Sequence, residues 1–241
     1  MVKHDLATVL MPPERKFFMN IIEAINSRKS IRGFKSDSVD QATITKILKT
    51  AVRAPSAMNT QPWEFFAITG DVLDAMRTKI VEKLNAGAPM QPDHLVVGWP
   101  PDSIYRDRQV GLAKQLFKLM DIQREDKEKR ASWLERGFRF FDAPVVVIVV
   151  TDKSLSESGP LFDIGAVVQS FCLAALEFGL GTCIEDQGVL YPEVARELAG
   201  IGDTKRLMIA IAIGYPDPNF PANQIHSERE AVDKITTWVG F

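Results

Sequence analysis

Histidine and cysteine are scarce in this sequence, and so are the glycine-centred motifs of most enzymes that carry their own catalytic groups. The three histidines, His4, His94 and His226, lie far apart and form no metal-ligand spacing, so no metal is expected. The two cysteines, Cys172 and Cys183, form no C-x-x-C and are too few for a disulfide scaffold, which reads as two packed thiols in a reducing compartment. There is no G-x-S-x-G elbow, no H-E-x-x-H and no P-loop. Gly179-Leu180-Gly181 approaches a dinucleotide fingerprint, but Ile184 stands where the third glycine belongs, which argues against a dedicated Rossmann turn. An excess of one charge is also lacking. A net charge of −2 and a pI near 6.0 give no global attraction to nucleic acid or to an anionic membrane. The longest apolar run, Ala143 to Val150, is far too short to span a bilayer, and Met1 to Phe18 lacks the apolar core of a signal peptide. These absences predict a cytoplasmic protein with neither nucleic acid nor membrane as partner. Missing acid–base machinery agrees with an enzyme that leaves the chemistry to a bound cofactor.

The 241 residues, 46% hydrophobic and 25% charged, have ordinary globular composition and read as one domain over 1–241. After an extended arm over 1–16, apolar Phe17, Phe18, Ile21, Ile22 and Ile25 share a helical face. A second helix follows Asp40, its N-cap, with Ile44, Ile47, Leu48, Ala51 and Val52 inward, and Pro55 ends it. Trp63 to Thr69 reads as a strand buried on both faces, and Asp71 as the cap of a third helix with Val72, Leu73, Met76, Ile80 and Leu84 inward. Residues 86–109 are broken by glycine and proline, which marks a functional or mobile segment. Helical spacing returns over Val110 to Met120, and Asp121 to Arg136 reads as a charged, solvated helix. A β-branched run from Pro144 to Val150 predicts a central strand. Phe162 to Phe178 is a helix apolar nearly all round, to be covered either by the protein's own layers or by a partner. Short elements follow: a strand at 182–184, a helix from Pro192 to Leu198 and a strand from Arg206 to Gly214. Helices interspersed with these strands predict an α+β sandwich around a mainly antiparallel or mixed sheet.

Two segments flank the second helix: Arg28-Lys29-Ser30-Ile31-Arg32 before it, and Ala54-Pro55-Ser56-Ala57-Met58-Asn59-Thr60-Gln61-Pro62-Trp63 after it. Taken alone, Arg28 and Lys29 serve equally as cations at a helix C-terminus, and Pro55-Ser56 with Asn59 as a breaker and turn. In this order and spacing, however, the segments resemble the R-x-S-x-R and A-P-S-x-x-N-x-Q-P-W segments of the nitroreductase superfamily. The resemblance runs from about residue 18 to the end and is least specific over 86–136. It implies an FMN-binding, intertwined homodimer with active sites at the subunit interface. Arg28 then belongs on the phosphate side, with Lys29 and Ser30 in the same segment and Arg32 nearer the flavin ring. Pro55, Ser56 and Asn59 reach the ring from the partner subunit. Ile184, Glu185 and Asp186 form the loop near flavin N5. Two adjacent acids are unexpected there, so their side chains are expected to point away. Arg229, in the late S-x-R segment, resembles a second phosphate guanidinium, with a solvated surface charge as its alternative.

Over Pro100 to Phe141 the resemblance is to the subgroup acting on nitrobenzoate-like aromatics. Tyr105, Arg106 and Arg139 become candidates for the substrate pocket, with a dimer rim or an aromatic core cluster as alternatives. Residues 86–136 are expected as a variable lid and 215–241 as an arm that embraces the neighbour. The implied activity is hydride transfer from NADH or NADPH through FMN to an electron-poor, nitroaromatic-like substrate by a ping-pong route. Other outcomes are a reductive dehalogenase or flavin-degrading member of the superfamily, or a flavin-binding protein without turnover.

Overall fold

The computed structural model describes residues 19–94 and 98–241. Its centre is a four-stranded sheet of β1 (Glu64–Thr69), β2 (Val145–Asp152), β3 (Gly181–Glu185) and β4 (Lys205–Gly214), in the order β1-β2-β4-β3 with every ladder antiparallel. Around it lie α1 (Ile21–Ser27), α2 (Gln41–Ala51), α3 (Gly70–Asn85), α4 (Ile104–Leu119), α5 (Lys127–Phe138), α6 (Leu161–Leu176), α7 (Pro192–Ala199) and α8 (Val232–Ile235). No helix among the described residues is long and apolar enough to cross a membrane.

The period of two in β2 sorts its side chains between two cores. Val146, Ile148 and Val150 face α3 and α7, packing with Leu73, Met76, Ile80, Val194 and the ring of Phe138. Val145, Val147 and Val149 face α2 and α6, packing with Ile44, Ile47, Val167 and Phe171. The register passes from Val149↔Ile209 to Val150↔Leu207, so Met208 is an extra, bulged residue, and Met208 and Ile209 both turn toward the α2/α6 layer.

Several sequence expectations need correction. The strand after Trp63 is an edge strand, not one buried on both faces: Glu64, Ala67 and Thr69 are exposed and only Ile68 is buried, because β2 covers one side alone. The cap before α3 is Thr69, with Asp71 inside the first turn, and Val72 is exposed. The charged stretch 121–136 is not one helix. Helix α4 already begins at Ile104 after its N-cap Ser103, Asp121 takes a left-handed φ of 50°, and α5 starts only at Lys127. Of the face predicted for the first helix, Phe17 and Phe18 fall outside the described residues. Ile21, Ile22 and Ile25 are exposed, so the face is left largely uncovered by its own chain.

Candidate active site

The Arg28–Arg32 segment leaves α1 in extended form and lies along β3. The Ile31 N–H donates to the Thr182 carbonyl at 2.9 Å, and Ser30 bridges Thr182 in parallel. This approach requires glycine beneath it, since a Cβ on Gly181 would stand 2.5 Å from Ile31 Cγ1. The end of the segment is clasped by Asn223, which is buried. Its Oδ1 accepts from the N–H groups of Arg32 (2.8 Å) and Gly33 (3.2 Å), while its Nδ2 donates to the carbonyls of Gly33 (2.7 Å) and Asp217 (2.9 Å). Arg136, from α5, adds a bond from Nη2 to the Arg32 carbonyl at 3.1 Å.

Two cavities open along this segment. The first, about 570 Å³, has Arg28, Lys29 and Arg229 in its wall with Gln169, His226 and Ser227, and none of its lining residues is acidic. Arg229 is steadied locally, its Nη1 donating to Ser227 Oγ at 2.8 Å. No carboxylate pairs with Arg28, Lys29 or Arg229 among the described residues. Uncompensated cations in an acid-free hollow form a site for a polyanion such as phosphate. His226, to which sequence reasoning assigned no role, lies in this wall, and its place beside Ser227 in the late S-x-R segment was the available signal.

The second cavity, about 440 Å³, is lined by Arg32, Cys183, Ile184, Glu185 and Asp186 against Gln109, Leu112, Trp133 and Phe141. The Arg32 guanidinium lies 6.0 Å from the centre of the Phe141 ring. Contrary to the expectation that both acids point away, Glu185 is inward. Both its carboxyl oxygens are buried without a partner among the described residues. Strand alternation explains this: Cys183 and Glu185 turn in, and Ile184, 39% exposed, turns out. Burial, followed by the charge of Asp186, pushes the Glu185 carboxyl well above the usual carboxylate range, and Arg32 and Arg77 offset this only in part. This shift favours its neutral form, which eases the conflict with an electron-rich ligand. Burial likewise pushes the Cys183 thiol up to about 12, so it is no nucleophile.

Five extended residues put about 13 Å between the Arg28 and Arg32 ends of the segment. An elongated ligand with a phosphate at one end and a polar planar ring at the other matches this span. The orphaned Glu185 carboxyl is what the N–H and carbonyl groups on a flavin's ring edge would satisfy, so the residues present fit FMN.

Pro55, Ser56 and Asn59 lie in neither cavity of their own chain. They form a turn in which Met58, Asn59 and Gln61 take positive φ and Met58 is 96% exposed. The turn is held from below by the buried Asp163 of α6, which accepts from the Ala57 N–H at 3.2 Å, and by Ser56 Oγ, which accepts from the Gln61 N–H at 3.0 Å. Pro55 instead borders an apolar hollow of about 490 Å³ between α1, α2 and α6. Of the three substrate candidates, Tyr105 is exposed, its ring 6.1 Å from that of Trp99, and Arg106 lines a separate large cavity on α4. Arg139 lies in neither of the two cavities of the segment. Its guanidinium is fully engaged with Asp142 (2.8 and 3.0 Å) and Glu135 (2.7 Å), where it braces the left-handed turn Phe140–Asp142 that places Phe141 in the second cavity.

Comparison with known proteins places this geometry. The chain is 31% identical over 220 residues to a nitrobenzene nitroreductase from Ectopseudomonas oleovorans, covering 91% of this chain and 96% of that one. It is 28% identical to a 4-nitrobenzoate reductase from Pseudomonas putida, covering 90% and 94%. The fold matches the crystal structure of an FMN and NADPH-dependent nitroreductase, NfnB, from Sphigopyxis sp. strain HMH with a TM-score of 0.87 at 29% identity, covering 91% of this chain and 99% of that one. The nitroreductase family model matches residues 25–215, and the chain belongs to the nitroreductase family.

Proposed function

We propose that this chain is an FMN-dependent oxidoreductase that takes hydride from NAD(P)H and delivers it to nitroaromatic or similarly electron-poor substrates. What carries the reading is one extended segment that joins an acid-free cationic cavity to a second cavity holding Arg32 and an unpartnered, neutral Glu185. Arg28, Lys29 and Arg229 would hold the phosphate, and Arg32 supplies a cation at the ring end. FMN, when bound, supplies hydride acceptance and donation. Around it, Trp133, Leu112 and Phe141 keep water from the second cavity, and neutral Glu185 presents a hydrogen-bonding group without a repelling charge. Reductant and oxidant share one cavity in turn, which is the basis for a ping-pong cycle.

The working unit in this reading is a homodimer. Ile21, Ile22 and Ile25 of α1, Phe162 of α6, and Trp238, Val239 and Phe241 of the C-terminal arm are all exposed on the single chain, and large exposed apolar side chains of this kind mark an interaction surface. A second copy covers these faces and brings Pro55, Ser56 and Asn59 to the ring. The relatives named for nitrobenzene and 4-nitrobenzoate support a nitroaromatic oxidant.

The test is an anaerobic visible spectrum of the purified holoprotein. NAD(P)H should bleach a bound flavin band, and 4-nitrobenzoate should restore it after excess nucleotide is removed. A bound flavin that neither NADH nor NADPH bleaches overturns the oxidoreductase reading.

A further inference from the structure

Outside the flavin site a cavity of about 950 Å³ lies along α4 and the 121–130 segment. Five cations stand in its wall: Arg106, Lys114, Lys118, Arg124 and Arg130. None of them pairs with a carboxylate among the described residues, and the only acid in the lining, Asp121, is already 3.8 Å from Lys129. In a chain with a net charge of −2, this is a concentrated and uncompensated positive field. Val110, Ala113, Phe117 and Ile122 are the apolar part of the wall, with the Arg130 guanidinium 5.9 Å from the centre of the Phe117 ring, and together they give a flat aromatic base a surface to lie on. Gln109 belongs to the walls of both this cavity and the flavin-ring cavity, and its Oε1 accepts from Arg106 Nη1 at 2.6 Å. From Gln109 to Lys118 the helix advances about 13 Å. A single substituted benzene ring in the ring cavity cannot reach across that length, whereas a dinucleotide can.

We propose that this α4 cavity binds the adenosine 2′-phosphate end of NADPH, so that the protein takes NADPH in preference to NADH. The inference rests on the oxidoreductase reading of the adjoining site. The phosphomonoester dianion meets guanidinium and ammonium groups that no carboxylate neutralises among the described residues, although Arg106 also bonds Gln109 and Arg130 the Arg124 carbonyl. The adenine lies on the apolar wall, and the nicotinamide end extends past Gln109 to the ring cavity.

The test measures binding of two fragments that carry no nicotinamide, 2′-phospho-ADP-ribose and ADP-ribose, to the FMN-loaded protein by calorimetry at fixed ionic strength. The phosphorylated fragment should bind about tenfold or more tightly than the other. In Lys118→Ala/Arg124→Ala the ratio should fall toward one, with the absorbance of bound FMN reporting that the variant is folded. Equal or undetectable binding of the two fragments to the wild type overturns the proposal, as does a ratio unchanged in the double variant. Displacement of 2′-phospho-ADP-ribose by inorganic phosphate at equal concentration also overturns it, because the site would then recognise free phosphate rather than the nucleotide. Should neither nucleotide bleach the flavin while the fragment ratio holds, the oxidoreductase reading fails and the anion site stands, so the two failures are distinguishable.

Discussion

Replacing Asn223 by alanine tests how the Arg28–Arg32 segment is held in place. The side chain makes four hydrogen bonds, but they are not equally replaceable. The Gly33 carbonyl also accepts from the Asp217 N–H at 3.0 Å, and the Asp217 carbonyl from the Phe220 N–H at 3.3 Å, so both acceptors keep a partner. The Arg32 N–H is only half-buried and can turn to water. The Gly33 N–H is buried and loses its partner outright, which costs about 1–3 kcal/mol. No larger group can move in from residue 33 to compensate, because a Cβ there would meet Phe220 Cγ at 2.1 Å. Urea unfolding of the apoprotein should therefore show Asn223→Ala destabilised by about 1–3 kcal/mol. The affinity for FMN should fall about tenfold, corresponding to about 1.4 kcal/mol lost in fixing the segment between its two cavities. A loss of stability below about 0.5 kcal/mol, the range of an ordinary surface substitution, would refute the clasp. A full stability loss with unchanged FMN affinity would refute its link to the site.

Glu185 gives the apoprotein an unusual pH dependence. Its folded carboxyl holds a proton that the unfolded chain has released, so its contribution is full on the acid side of the ordinary glutamate range and declines as pH rises toward the raised folded value. Urea midpoints measured from mildly acidic to mildly alkaline pH should fall in wild-type apoprotein more steeply than in Glu185→Gln, and parallel curves would contradict a neutral Glu185. A charge on the uncovered helix faces should separate the subunits: Ile22→Asp/Phe162→Asp is expected to run as a monomer in light scattering and to lose FMN with it. A double variant that stays dimeric would remove α1 and α6 from the interface. At the second helix, Asp40→Ala should cost about 1 kcal/mol, because the Asp40 side chain accepts from the Thr43 N–H at 2.6 Å, and a melting temperature equal to wild type would show that bond to be idle.

The elements legible in sequence are those whose signal is local and strong. The β-branched run of β2 and the apolar faces of α2 and α6 each declare their period within a few residues, and Asp40 reads directly as a cap. Position in the sheet is not a local property, which is why the aromatic β1 looks like a buried strand yet lies at the edge. Mixed charge over 121–136 hides the break between α4 and α5, since a left-handed aspartate leaves no hydrophobic signature. At the site, the spacing of Arg28, Lys29 and Arg32 is readable because one short segment carries all three. Asn223 is not, because it acts on Gly33 across 190 residues of chain. Glu185 was readable in principle: strand alternation from buried Cys183 places it inward, and only its raised pKa makes that compatible with an electron-rich neighbour. Arg139 resembles a ligand-binding cation by sequence but spends its guanidinium on Asp142 and Glu135.

The most direct measurement of the central claim is a fluorescence titration of the apoprotein with FMN and, separately, with riboflavin, which has the same ring and no phosphate. In the proposed site both cavities would contribute to FMN binding, whereas only the ring cavity would contribute to riboflavin. FMN should bind at least about a hundredfold more tightly, as expected for a phosphate held by several charge-assisted hydrogen bonds. In Arg28→Ala/Arg229→Ala that advantage should largely disappear. Equal affinities for the two flavins, or an advantage that survives the double substitution, would contradict the assignment of the Arg28, Lys29 and Arg229 cavity to the cofactor phosphate.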